Sequence, residues 1–174
     1  MRLFQLNMLK LLSIKGIIKR FFFIVLLIVL YSGSSSVIIA EEDELNLNEK
    51  GLNFLKNNNF PAALHSFDQA IAANEKDFDA LYNRALTLYY MQKHNDSLEM
   101  LDNIIEEAPH RSDVFYLKGI ILFETRMLTE SLEALEKAIE LTPEFMSAKT
   151  AKCSVYVEMS NEQEARECLK SLKK

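Results

Sequence analysis

A chain of 174 residues, 49% hydrophobic and 26% charged, follows ordinary globular usage, which excludes wholesale disorder and fibrous chains. With no Trp, three His, two Cys and four Gly, it holds too little material for a glycine-rich phosphate loop, a four-ligand Cys/His zinc site or a dense disulfide scaffold. Charge is unevenly divided: residues 1–40 carry five basic residues and no acids, whereas 41–174 carry fifteen basic against twenty-five acidic, a net of −10 that disfavours nucleic acid and anionic lipid as partners.

The first element is apolar. Lys19 and Arg20 precede the uncharged stretch Phe21 to Tyr31, then a Ser/Gly cluster (32–36), then Val37 to Ala40 and the acidic run Glu41 to Glu44. Basic, apolar, small-residue and acidic, in that order, predicts a secretory signal cut after Ala40, with Ile38 and Ala40 at the third and first positions before the cut. The mature chain then begins at Glu41 in the periplasm or cell envelope. The alternative is an uncleaved single-pass anchor over Phe21 to Ala40, close to the ~20 residues that span a hydrocarbon core, although the serines weaken it. Either way the basic flank stays cytoplasmic and 41–174 crosses. Met8 is a second candidate start.

Beyond residue 40 the sequence repeats itself every 34 residues. Small residues stand at Gly51, Ala85, Gly119 and Cys153, and again at Ala63, Ser97, Ser131 and Ala165. Large apolar residues keep the same spacing at Phe67, Leu101, Leu135 and Leu169, followed by Ala70, Ile104, Ala138 and Leu172. Within one unit, apolar residues recur at three and four, so each unit predicts two amphipathic helices whose facing small residues allow close approach. Pro61 suits the first turn of a second helix, and Pro109 and Pro143 suit the stop after one.

On these residues the chain resembles the tetratricopeptide repeat (TPR) family, in its bacterial-envelope type. Counting Glu44 as repeat position one, the small residues at eight and twenty and the large ones at eleven and twenty-four match, over three full repeats (44–77, 78–111, 112–145) and a fourth lacking its tail (146–174). Departures are Glu75 in place of proline, Ile104 and Leu172 at the small twenty-seventh position, and Lys149 at the fourth. The resemblance implies an all-α, right-handed α-solenoid after the apolar segment 1–40.

Charges and cysteines follow the same repeat positions. Position twenty-one reads Leu64, Leu98, Leu132 and then Arg166, and position twenty-eight reads Ile71, Ile105, Ile139 and then Lys173, so the last repeat is expected to cap the array with a polar outer face. Lys50, Arg84, Lys118 and Lys152 share position seven, either as a cationic stripe or, as the domain's charge favours, as stems over apolar surface with heads paired to carboxylates. Cys153 and Cys168 sit on the two helices of the fourth repeat. Packed thiols are the expectation and a disulfide the alternative, because position twenty-three lies beside the facing set. His65, His94 and His110 fall at unrelated phases and are expected on the surface, with no metal-ligand or catalytic-triad spacing. The carboxylates cluster on second helices as a solvated face, so no enzyme and no cofactor are expected.

The resemblance further implies that first helices line a concave groove. Its candidate residues are Leu52 and Leu55; Tyr82, Asn83, Leu86, Tyr89 and Tyr90; and Tyr116, Ile120 and Phe123. Asp79, Asp113, Leu117, Glu124, Asn48 and Lys56 fall on the same implied face, and repeat four offers only Ser147, Thr150, Ser154 and Val157. The lysines and arginines with which some family members clamp a terminal carboxylate are missing, so an extended or helical apolar peptide is the better expectation. The function expected is a non-catalytic protein–protein interaction scaffold with a protein or peptide partner, its repeat domain monomeric, and membrane contact only through 1–40 if uncleaved. The alternative is a structural subunit of an envelope complex that self-associates or docks permanently.

Overall fold

The computed structural model describes residues 47–172, which fall within one compact unit, Asn46–Lys174. The leader 1–40 with its expected cut or anchor, and Lys173 of the expected cap, lie outside the described residues. Among the described residues there are eight helices and no strand: α1 (47–56), α2 (Phe60–Ala73), α3 (Phe78–Tyr90), α4 (His94–Glu107), α5 (Ser112–Glu124), α6 (Leu128–Leu141), α7 (Met146–Glu158) and α8 (Glu162–Ser171). Helices α3, α5 and α7 start 34 residues apart, at the first residues of the second to fourth repeats.

Each first helix stops in the same way. Asn58, Gln92, Arg126 and Ser160, again 34 apart, have φ between 56° and 68°, the left-handed region. In every case this residue's N–H reaches back three residues, as in Gln92 N to Tyr89 O (2.8 Å), and the next N–H reaches back five, as in Lys93 N to Leu88 O (3.0 Å). That is the Schellman pairing, which satisfies carbonyls the helix end leaves open. Glycine favours this conformation, and none of the four is glycine. Second helices begin with ordinary signals in the first repeat, where Asn59 accepts from Ala62 N and Pro61 fills the first turn. Asp77 caps α3 by accepting from Asp79 N and Ala80 N, both at 3.0 Å.

Helices pair through the small residues. A Cβ on Gly119 would stand 2.7 Å from Leu135 Cγ, and one on Gly51 would overlap the Phe67 ring, so both glycines are required by closeness of the second helix. Ser97 and Ser131 are fully buried, and their hydroxyls donate to Ala85 O (2.8 Å) and Gly119 O (2.7 Å), locking α4 to α3 and α6 to α5. Phe67, Leu101 and Leu135 are wholly buried at the position where Leu169 is 48% exposed.

Second helices pack on their own first helix and on the next one. Successive first helices also touch (α3 with α5, α5 with α7), whereas among the described residues α4, α6 and α8 do not meet one another. One layer is therefore continuous and the other splayed, which is the curvature of an α-solenoid with first helices inside. Position seven strengthens the repeat boundaries from outside: Arg84 pairs with Asp68 (2.6 Å), Lys118 with Asp102 (2.5 Å) and Lys152 with Glu136 (2.7 Å), each acid being position twenty-five of the preceding repeat. Paired heads on half-buried stems, and not a free cationic stripe, account for these three.

Cys153 and Cys168 are bonded, with Cα atoms 5.5 Å apart, so the expectation of packed thiols is corrected: α8 turns position twenty-three toward α7 closely enough to bridge. Arg166 is exposed and pairs with Glu162 one turn earlier at 2.9 Å. No helix among the described residues is long and apolar enough to cross a membrane.

Candidate binding groove

The inner layer places residues from α1, α3, α5 and α7 side by side, and polar links cross from each to the next. Asn83 Nδ2 donates to Asn48 Oδ1 at 3.0 Å. Arg111, in the turn before α5, donates to Asp79 of α3 (2.7 Å) and Asp113 of α5 (2.6 Å), and its guanidinium lies 5.7 Å over the Tyr82 ring. Tyr89 Oη donates to Glu124 Oε1 at 2.6 Å, and Arg126 pairs with Glu158. The partners that join one first helix to the next sit 32 or 35 residues apart, one repeat plus or minus a step, so each such link is a contact between neighbouring repeats.

The electrostatics follow from that crossing. Burial, with Asp113 adding, pushes the Tyr82 phenol up to about 12, against the smaller opposing pull of Arg111. Tyr89 is pushed well above the ordinary tyrosine range, first by burial and then by its bond to Glu124, so its hydroxyl stays a donor. The Arg111 guanidinium is held charged chiefly by the Asp113 hydrogen bond.

The aromatics expected to lie open in the groove divide. Tyr82 and Tyr89 are half-buried against the cluster of Leu101, Val114 and Ile121; Tyr116 and Phe123 are half-buried against Leu135 and Val155. Tyr116 also packs on Phe145 with ring centroids 4.9 Å apart. Only Tyr90 of the five is largely open, at 49% exposure, stacked on Phe60 at 6.3 Å. Leu52, Leu55, Leu86 and Ile120 are half-buried along the same layer, and Asn83 is spent on Asn48. Leu117 is 4% exposed and belongs to the core, a correction that follows from position six turning beneath α4. Val157 is 58% exposed at the far end.

Two features lay beyond sequence reading. Arg111, at the last position of its repeat, has no helical period to announce it. His94, expected on the surface with His65 and His110, is half-buried, its ring 6.0 Å from Tyr89 and its Nδ1 buried without a hydrogen-bond partner. On the outer side the splayed second helices leave clefts of about 450 Å³ (Leu98, Phe115, Leu122, Ala134) and about 380 Å³ (Ile139, Lys152, Tyr156, Glu167). Among the described residues no group of His, Cys, Asp or Glu is placed to hold a metal ion.

The sequence profile of the tetratricopeptide repeat matches residues 48–89 and 82–144. The chain belongs to the tetratricopeptide repeat family. No curated protein matches the sequence. Among solved structures, MamA (41-end) from Desulfovibrio magneticus RS-1 is similar over 76% of each chain at 21% identity, with a TM-score of 0.68. TTC0263, a thermophilic TPR protein of Thermus thermophilus, is similar over 74% of this chain and 72% of its own at 21% identity and TM-score 0.65. The first TPR of Spaghetti (RPAP3), solved bound to an HSP90 peptide, is similar over 68% of this chain and 94% of its own at 18% identity and TM-score 0.64. At these identities the likeness is one of fold. The TPR fold supports a protein–protein interaction scaffold, and nothing in the geometry or the likenesses shows enzymatic activity.

Proposed function

We propose that the chain binds a peptide or protein segment along its inner layer of first helices, as a non-catalytic scaffold, and that residues 1–40 carry the repeats across the cytoplasmic membrane or anchor them outside it. The observation that carries the binding reading is the continuous inner strip of half-buried Leu52, Leu86 and Ile120, bordered by polar groups already fixed between repeats. Such a strip offers apolar area on a surface whose ordering cost is met before a ligand arrives. A solved TPR domain, the first of RPAP3, holds a peptide, which supports the mode of use.

The test is selection of peptides from a random library on the full-length chain, followed by Leu86→Arg and Ile120→Arg. Each variant is expected to keep its melting temperature and lose the selected peptides at least about tenfold, the effect of one lost anchor contact. Retained binding in both would remove the inner layer from consideration. Mass spectrometry of the native protein decides the leader: a chain starting at Glu41 supports export with cleavage, and an intact leader in the membrane fraction supports the anchor.

A further inference from the structure

The inner layer already holds one cation by a recognisable arrangement: an aromatic face (Tyr82) beneath a guanidinium (Arg111) that two carboxylates, Asp79 and Asp113, fix in place. The opposite edge repeats the aromatic and acidic parts with no cation of the chain's own among the described residues. Tyr89 and Tyr90 have ring centroids 5.4 Å apart at 45°, Phe60 backs Tyr90, and Tyr90 is 49% exposed. Glu124 receives Tyr89 Oη on Oε1, is exposed, and forms no ion pair among the described residues, whereas its neighbour Glu158 is paired with Arg126.

We infer that this edge takes a lysine or arginine side chain of the bound segment, its charge against Glu124 and its stem or plane over Tyr90. The inference rests on the groove reading and adds the partner's chemistry: an apolar segment bearing one basic residue. The Tyr89 bond pre-orients the carboxylate, and a ring with an exposed face attracts a cation electrostatically.

Peptides selected on the full-length chain supply the probe. The selected set is expected to share a Lys or Arg at one register. Replacing that residue by norleucine, changing Glu124→Gln, or changing Tyr90→Ala should each weaken binding about tenfold, and the first two losses should not add. Glu124→Gln keeps an acceptor for Tyr89, so folding is preserved. Peptides lost on Leu86→Arg but indifferent to charge and to Glu124→Gln would overturn this inference and leave the groove standing. Peptides indifferent to Leu86→Arg would overturn the groove itself.

The fourth repeat carries an independent device. Helix α8 packs on α7 alone among the described residues, and Ala165 is its one buried side chain. Leu169 is 48% exposed, and Ala165 has no hydroxyl to lock the pair as Ser97 and Ser131 do. We infer that the Cys153–Cys168 bond is what keeps α8 docked, so that the repeat is complete only under oxidising conditions. A dithiol reductant supplies two electrons and two protons, the bond opens to two thiols, and the reductant closes to its own disulfide. Release would uncover Cys153 and the Tyr156 wall of the outer cleft.

Hydrogen exchange on the full-length chain, before and after dithiothreitol, tests this, with Cys153→Ser/Cys168→Ser as a second route. Amides of 162–171 should lose at least about tenfold in protection while those of α3 to α6 keep theirs. Equal protection of α8 in oxidised and reduced chains, or two free thiols per chain before reductant, would overturn the inference.

Discussion

Repeats two and three hold their second helices differently from repeat four, although all follow one 34-residue plan. In the inner repeats a buried serine donates across the pair, and the leucine at position twenty-four is covered from both sides: Leu101 by α3 and α5, Leu135 by α5 and α7. In the last repeat no following helix arrives among the described residues, so Leu169 stays half in water and a covalent bond does what the neighbour does elsewhere. Burial at this position is a property of adjacency and not of the helix that carries the residue.

The sharpest test removes the same side chain from both places. Leu135→Ala should cost about 3–5 kcal/mol, because a wholly buried leucine leaves a cavity, whereas Leu169→Ala should cost under about 1 kcal/mol. Urea unfolding followed by circular dichroism reads both, and equal losses would break the comparison. Next in size, Gly119→Val should cost about 2–3 kcal/mol, since its Cβ meets Leu135 and the pair must separate; the readout is the unfolding midpoint. Ser131→Ala should cost about 1 kcal/mol by removing the donor to Gly119 O, and Ala165→Ser in the last repeat should recover less than that, both read by the same urea midpoints. Smallest, Gln92→Gly should raise stability by roughly 0.5 kcal/mol, the relief of a left-handed non-glycine residue less the entropy of glycine. A lowered melting temperature for Gln92→Gly would show that the Gln side chain makes a contact worth more than the strain.

Much of this was legible in the sequence because the period is carried by residues whose size matters, Gly51 against Phe67 and Gly119 against Leu135. The left-handed turns were not, because Asn58, Gln92, Arg126 and Ser160 share a conformation and no chemistry. The groove was legible as a set of positions but not as a surface. Tyr82, Tyr116 and Phe123 sit at inner positions, yet the next repeat stands close enough to absorb part of each ring. Links such as Tyr89 to Glu124 escape a reading that compares like positions, since they join unlike ones.

The ion pairs at position seven have a consequence for how such a chain can change length. Each joins a cation to an acid of the preceding unit, so donor and acceptor always belong to different copies of the motif. Excising residues 78–111 as a block would bring Lys118 opposite Asp68, one matched pair exchanged for two. Duplicating the same block would add a cation and an acid together, each facing the other's copy. Whole-unit gain or loss therefore leaves no charge orphaned at any internal seam, whereas a cut out of phase strands one at every junction it creates.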